Sequence, residues 1–127
     1  MNLNQITLPA FDILESIEFY RHMGFLQIVD SAHYARFECP EGDSTFSLHA
    51  VAEPPESTGV VVYFECESVD ETVKALETKG FVFLSQPADE RWLWREARLV
   101  DPSGNVLCLF NPGQYRKNPP WRLKSEA

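Results

Sequence analysis

The sequence predicts an α+β fold in which one strand–helix–strand–strand–strand (βαβββ) module is used twice. Three observations predict it: an internal repeat at a spacing of 56 residues, a capped amphipathic helix in each copy, and strand-like runs on both sides of each helix. A chain of 127 residues has room for one domain of two half-size modules, placed at 3–52 and 59–112 within a structured stretch 1–113.

In the first copy, residues 4–9 read as a strand. Asp12 is a good N-cap, and Glu15 three places on completes a capping box. Ile13, Ile17 and Tyr20 recur at i, i+4 and i+7, one face of a helix over 13–23 that Gly24 stops with a left-handed C-cap. Strands are expected at 25–30, 33–39 and 44–51, the last two joined by Pro40-Glu41-Gly42-Asp43. In the second copy, residues 60–66 are β-branched and aromatic. Ser68 and Glu71 repeat the capping box. Val69, Val73 and Leu76 repeat the apolar face, giving a helix over 69–79 that ends at Gly80. Strands follow at 81–85, 92–100 and 105–110, the last two joined by Asp101-Pro102-Ser103-Gly104, with the type I preference for Asp, Pro and Gly. A lone module buries its helix face and sheet poorly; two can share the task.

Composition narrows the function. The formal charge is −8, so the basic face that nucleic-acid binding needs is missing. No apolar run approaches the roughly 18 residues of a membrane span, and the first residues show no secretory signal pattern. Cys39, Cys66 and Cys108 are odd in number and widely spaced, which fits reduced thiols in a cytoplasmic protein better than a disulfide framework or structural zinc. Residues 114–127 form a basic tail with two prolines around Asn118-Pro119-Pro120-Trp121, expected to be extended. Tyr115 and Trp121 are candidates to pack on the domain or on a second subunit.

The repeat, together with Ile6-Thr7-Leu8-Pro9, Asp12, Ser16-Ile17-Glu18-Phe19-Tyr20 and Gly24-Phe25, resembles the vicinal oxygen chelate superfamily of glyoxalase I, the bleomycin resistance proteins and the extradiol dioxygenases. Asp101-Pro102-Ser103-Gly104-Asn105 is similar to that family's DPxGN turn, and the resemblance covers about residues 3–112. It implies curved mixed sheets around a cavity, and a homodimer in which modules are often exchanged. Strand alternation then assigns faces. Ile6, Leu8, Phe46, Leu48, Ala97 and Leu99 go toward the helices. The candidate ligand-binding residues are Gln5, Thr7, Ser47, His49, Tyr63, Trp94, Glu96, Arg98, Cys108 and Phe110.

Metal-using members of the family place ligands on the first, fourth, fifth and eighth strands. By position this chain offers Gln5, Ser47, Val61 and Cys108, a set with an aliphatic member and no carboxylate. The expectation is therefore no metal and no other cofactor, and a protein that binds a small organic molecule through a few polar anchors among aromatic rings. The alternative is a glyoxalase-like lyase or isomerase. It would use one divalent ion on an atypical set including His49, or metal-free acid–base chemistry by Glu96 and His49. Arg98 is placed to clamp an anionic group.

Overall fold

The computed structural model describes residues 1–57 and 59–124, so the end of the tail, 125–127, lies outside the described residues. The elements are β1 (Gln5–Ala10), α1 (Ile13–Met23), β2 (Leu26–Asp30), β3 (Tyr34–Glu38) and β4 (Thr45–Ala50), then β5 (Val61–Glu65), α2 (Val69–Thr78), β6 (Ala88–Asp89), β7 (Arg95–Val100) and β8 (Val106–Asn111). They form two four-stranded sheets of equivalent order, β1-β4-β3-β2 and β5-β8-β7-β6. In each the first strand runs parallel to the last, β1 with β4 and β5 with β8, so both sheets are mixed and neither closes on itself. This is the α+β duplication that the repeat predicts. Among the described residues no helix is long and apolar enough to cross a membrane.

The caps act as the sequence dictates. The Asp12 side chain accepts from the Glu15 amide at 3.1 Å, and the Ser68 hydroxyl accepts from the Glu71 amide at 3.2 Å. Gly24 closes α1 at φ 115°, a conformation that strains any residue with a Cβ.

The chain folds as two compact units, Met1–Val60 with Val100–Asn105, and Val61–Leu99 with the chain from Val106. The core of the first unit is aromatic. Tyr20, Phe37 and Phe46 are almost fully buried, with Phe37 stacked on Phe46 at 5.2 Å and Tyr20 edge-on to Phe46 at 4.9 Å. Leu8, Ile17 and Leu48 fill the space beside them. The turn 100–105 belongs to this unit because its polar groups are anchored there. Asn105 Nδ2 donates to the Pro9 carbonyl at 3.0 Å, and the Phe11 amide donates to Ser103 Oγ at 2.9 Å. The core of the second unit is aliphatic: Val69, Val73 and Leu76 of α2 with Ala97, Leu99, Leu107 and Leu109 of the sheet. Burying each large side chain contributes about 1.5–3 kcal/mol.

Two expected strands differ. Residues 81–85 form no strand, although the Leu84 and Ser85 amides both donate to the Arg98 carbonyl, at 2.7 and 3.3 Å. Two donors on one acceptor do not make a ladder, and Pro87 has no N–H to extend one. Pairing resumes at β6, where Ala88 lies opposite Glu96. Residues 92–94 do not belong to β7 but to a tight turn, in which the Leu93 amide donates to the Glu90 carbonyl and Leu93 adopts a φ of 72°. Beyond β8 the chain is turned rather than extended. Tyr115, Asn118 and Arg122 amides donate back to Pro112, Gln114 and Pro119 carbonyls. Trp94 Nε1 holds the Tyr115 carbonyl at 3.2 Å, whereas Trp121 is exposed.

Candidate functional site

Alternation along each strand sends one set of side chains to the helix and the other to the helix-free face of the same sheet. In the first unit the parallel register sets Gln5 opposite Thr45 and Thr7 opposite Ser47, and the antiparallel register sets Tyr34 opposite His49 and Arg36 opposite Ser47. Gln5, Thr7, Ser47 and His49 therefore share the helix-free face, as alternation predicts.

A polar network ties several of them together. Gln5 Nε2 donates to Ser47 Oγ at 2.7 Å, and Thr45 Oγ1 donates to Gln5 Oε1. The buried Ser47 hydroxyl also shares a 2.5 Å hydrogen bond with Tyr34 Oη, which accepts from Arg36 Nε at 3.0 Å. The Ser47 bond, joined by Arg36 and opposed by burial, holds the Tyr34 phenol below its ordinary range. Tyr34 and Arg36 were not among the sequence candidates; extending the alternation rule to β3 would have found them. Thr7 and His49 are exposed, and neither side chain bonds to a described residue.

In the second unit the helix-free face carries Tyr63, Trp94, Glu96, Arg98, Cys108 and Phe110. Three rings pack edge against face: Tyr63 to Trp94 at 5.8 Å, Tyr63 to Phe110 at 5.2 Å and Trp94 to Phe110 at 5.0 Å. Phe110 is buried, while Tyr63 is 40% exposed and shows its ring to solvent. Beside them lies Glu96, a carboxylate only 3% exposed. Trp92 Nε1 donates to its Oε2 at 2.6 Å, the Cys108 thiol donates to its Oε1 at 3.5 Å, and Arg98 Nη2 lies 3.5 Å from Oε1. Arg98 Nη2 also donates to Tyr63 Oη at 3.2 Å. Trp92 was not among the sequence candidates, although alternation along the expected strand 92–100 puts it on the face of Trp94, Glu96 and Arg98; it reaches Glu96 from the turn at Leu93 rather than from a strand.

Electrostatics follows from this packing. Burial first, and then the Glu96 charge, push the Cys108 thiol up to about 12, so it remains protonated and donates to Glu96. Burial and Glu96 also raise the Tyr63 phenol, against the opposing pull of Arg98. Burial works against the Arg98 charge, but Tyr63, Cys108 and Glu96 outweigh it and strengthen the cation. A groove of about 490 Å³ along Phe25–Asp30 contains none of the candidate side chains.

The sequence profile of the Glyoxalase/Bleomycin resistance protein/Dioxygenase superfamily matches residues 2–109. The chain belongs to this superfamily. Solved structures agree with the fold of the superfamily. A glyoxalase/bleomycin resistance protein/dioxygenase from Nocardioides superposes with a TM-score of 0.79 at 24% identity, covering 98% of this chain and 90% of that one. A bleomycin-binding protein in complex with bleomycin gives 0.70 at 21% identity, over 87% of this chain and 98% of that one. The bleomycin resistance determinant encoded on transposon Tn5 gives 0.72 at 22% identity, over 87% and 98%. No curated protein matches the sequence.

The superfamily's metal positions do not suit a metal ion here. Gln5 and Ser47 are bonded to each other and to Thr45 and Tyr34. Val61 is aliphatic. Cys108, the remaining donor, is buried and bonded to Glu96, and its soft sulfur does not suit the hard, oxygen-ligated ions of the superfamily's carboxylate position. Among the described residues no three His, Cys, Asp or Glu side chains stand together as a metal-holding group. What the second unit does offer is an exposed aromatic surface next to an oriented guanidinium.

Proposed function

We propose that this superfamily member binds a small organic molecule on the helix-free face of its second sheet, with the flat part of the ligand against Tyr63 and Trp94, which the buried Phe110 supports from behind, and that it does so without a metal ion. The observation carrying this reading is the pairing of those three rings with a buried, fully engaged Glu96 that fixes Arg98. A few fixed polar groups within an aromatic lining are the usual makeup of a ligand site. Glu96 accepts from Trp92 and Cys108 and faces Arg98, which suits holding a neighbour in place better than taking a proton from a substrate. The bleomycin-binding protein supplies a precedent for ligand capture on this fold.

A thermal-shift screen of flat-ring compounds against wild type and Tyr63→Ala tests the proposal. Binding to the native state raises the melting temperature by mass action. The reading requires compounds that stabilise wild type and lose most of that effect in Tyr63→Ala. Compounds that stabilise both proteins equally would place binding elsewhere, and a protein that needs added zinc or nickel before any compound binds would overturn the metal-free part.

A further inference from the structure

Two charged groups on the face of the proposed ring site reach solvent: Arg98, and Glu65 two residues along β5 from Tyr63 and opposite Phe110. Glu96 is not presented outward: its side chain is 3% exposed and covered by Trp92, Cys108 and Arg98. Arg98, by contrast, is 35% exposed. Its contacts to Tyr63 Oη and Glu96 Oε1 both come from Nη2, and a guanidinium carries five N–H donors, more than its neighbours Tyr63, Glu96 and Cys108 can use up. The residue is also pinned along its backbone, its amide donating to Ser85 Oγ at 3.1 Å and its carbonyl accepting from Leu84 at 2.7 Å. Tyr63 Oη accepts from Arg98, which leaves the phenol's own proton for an acceptor at the hydroxyl end of the ring.

We infer that the site takes a planar aromatic carboxylate, its ring on Tyr63 and its oxygens receiving hydrogen bonds from Arg98 and the Tyr63 hydroxyl. This inference rests on the ring site proposed above. Charge-assisted bonds from a pre-oriented guanidinium favour an oxyanion over a neutral group of the same shape. A cationic ligand would have to turn to Glu65 at the Phe110 end of the rings, since Glu96 is enclosed by its partners, whereas Arg98 is bonded to Tyr63 itself.

The test is calorimetry of wild-type protein with 2-naphthoate, its neutral isostere 2-naphthamide, and 2-naphthylmethylammonium. The expected result is a carboxylate about tenfold or more tighter than the amide at low salt, with the advantage shrinking as salt is added. Arg98→Met should erase that advantage while leaving amide binding in place, and Arg98→Lys should keep part of it. Equal affinity for carboxylate and amide, with both weakened in Tyr63→Ala, would overturn the carboxylate while leaving the ring site standing. Preference for the ammonium compound would overturn it too. If no probe binds, the carboxylate inference and the ring site fall together. The wild-type comparison does not depend on how Arg98 variants fold.

Discussion

The Tyr20 hydroxyl donates to Asp101 Oδ2 at 2.7 Å, joining α1 to a turn 81 residues away inside the first unit. Both side chains are buried. Asp101 also accepts from the amides of Ser103 and Asn105 and from Asn105 Nδ2, so each carboxylate oxygen is engaged. The DPxGN-like turn is thus more than a tight corner: its aspartate satisfies its own loop and a helix on the repeat's other half. Tyr20→Phe removes one donor from a buried acceptor, and should destabilise the protein by about 1–3 kcal/mol. Urea unfolding measures this, and an unchanged midpoint would show that the bond contributes nothing.

The face assignment gives a contrast between two positions. Ile17 is 6% exposed in the aromatic core of the first unit, whereas His49 is exposed on the helix-free face. Ile17→Ala should cost about 2–5 kcal/mol, and His49→Ala should stay within about 0.5 kcal/mol. Comparable losses of stability in the two variants would contradict the assignment.

Cys108 gives a pH dependence. Its thiol is raised to about 12 when folded, against 9.0 for an unperturbed cysteine, so the unfolded chain releases this proton first. The stabilisation is therefore complete below about pH 9 and is lost as pH rises toward 12. Cys108→Ala should flatten the alkaline decline in unfolding midpoint over that window. Alkylation followed by mass spectrometry should modify Cys108 only on unfolding, after Cys39 and Cys66, which are partly exposed. Prompt modification of Cys108 in the native protein would show that its burial is wrong.

Most of the fold was legible because the signals were local and repeated. Asp12 and Ser68 cap, Ile17 and Val73 face inward, and Gly24 stops its helix, each for reasons readable within a few residues. Strand alternation carried the face assignments of Glu96, Arg98 and Cys108. What escaped depended on distant or unusual geometry. The segment 81–85 has strand-like composition, but its two amides converge on the single carbonyl of Arg98. Trp92 sits in a turn with a left-handed Leu93, which no leucine advertises, rather than in the strand expected over 92–100. Tyr34 and Arg36 needed the registry of β3 against Ser47 before their bonds could be drawn.

The central claim, that the helix-free face of the second sheet holds the ligand, is tested most directly by the indole N–H resonances of the three tryptophans. Trp92 Nε1 is bonded to Glu96 and Trp94 Nε1 to the Tyr115 carbonyl, while Trp121 stands exposed as an internal control. Titrating nitrogen-15-labelled protein with 2-naphthoate should shift the Trp94 and Trp92 signals along a saturating curve and leave Trp121 in place. Saturable binding that moves neither Trp94 nor Trp92 would contradict the account.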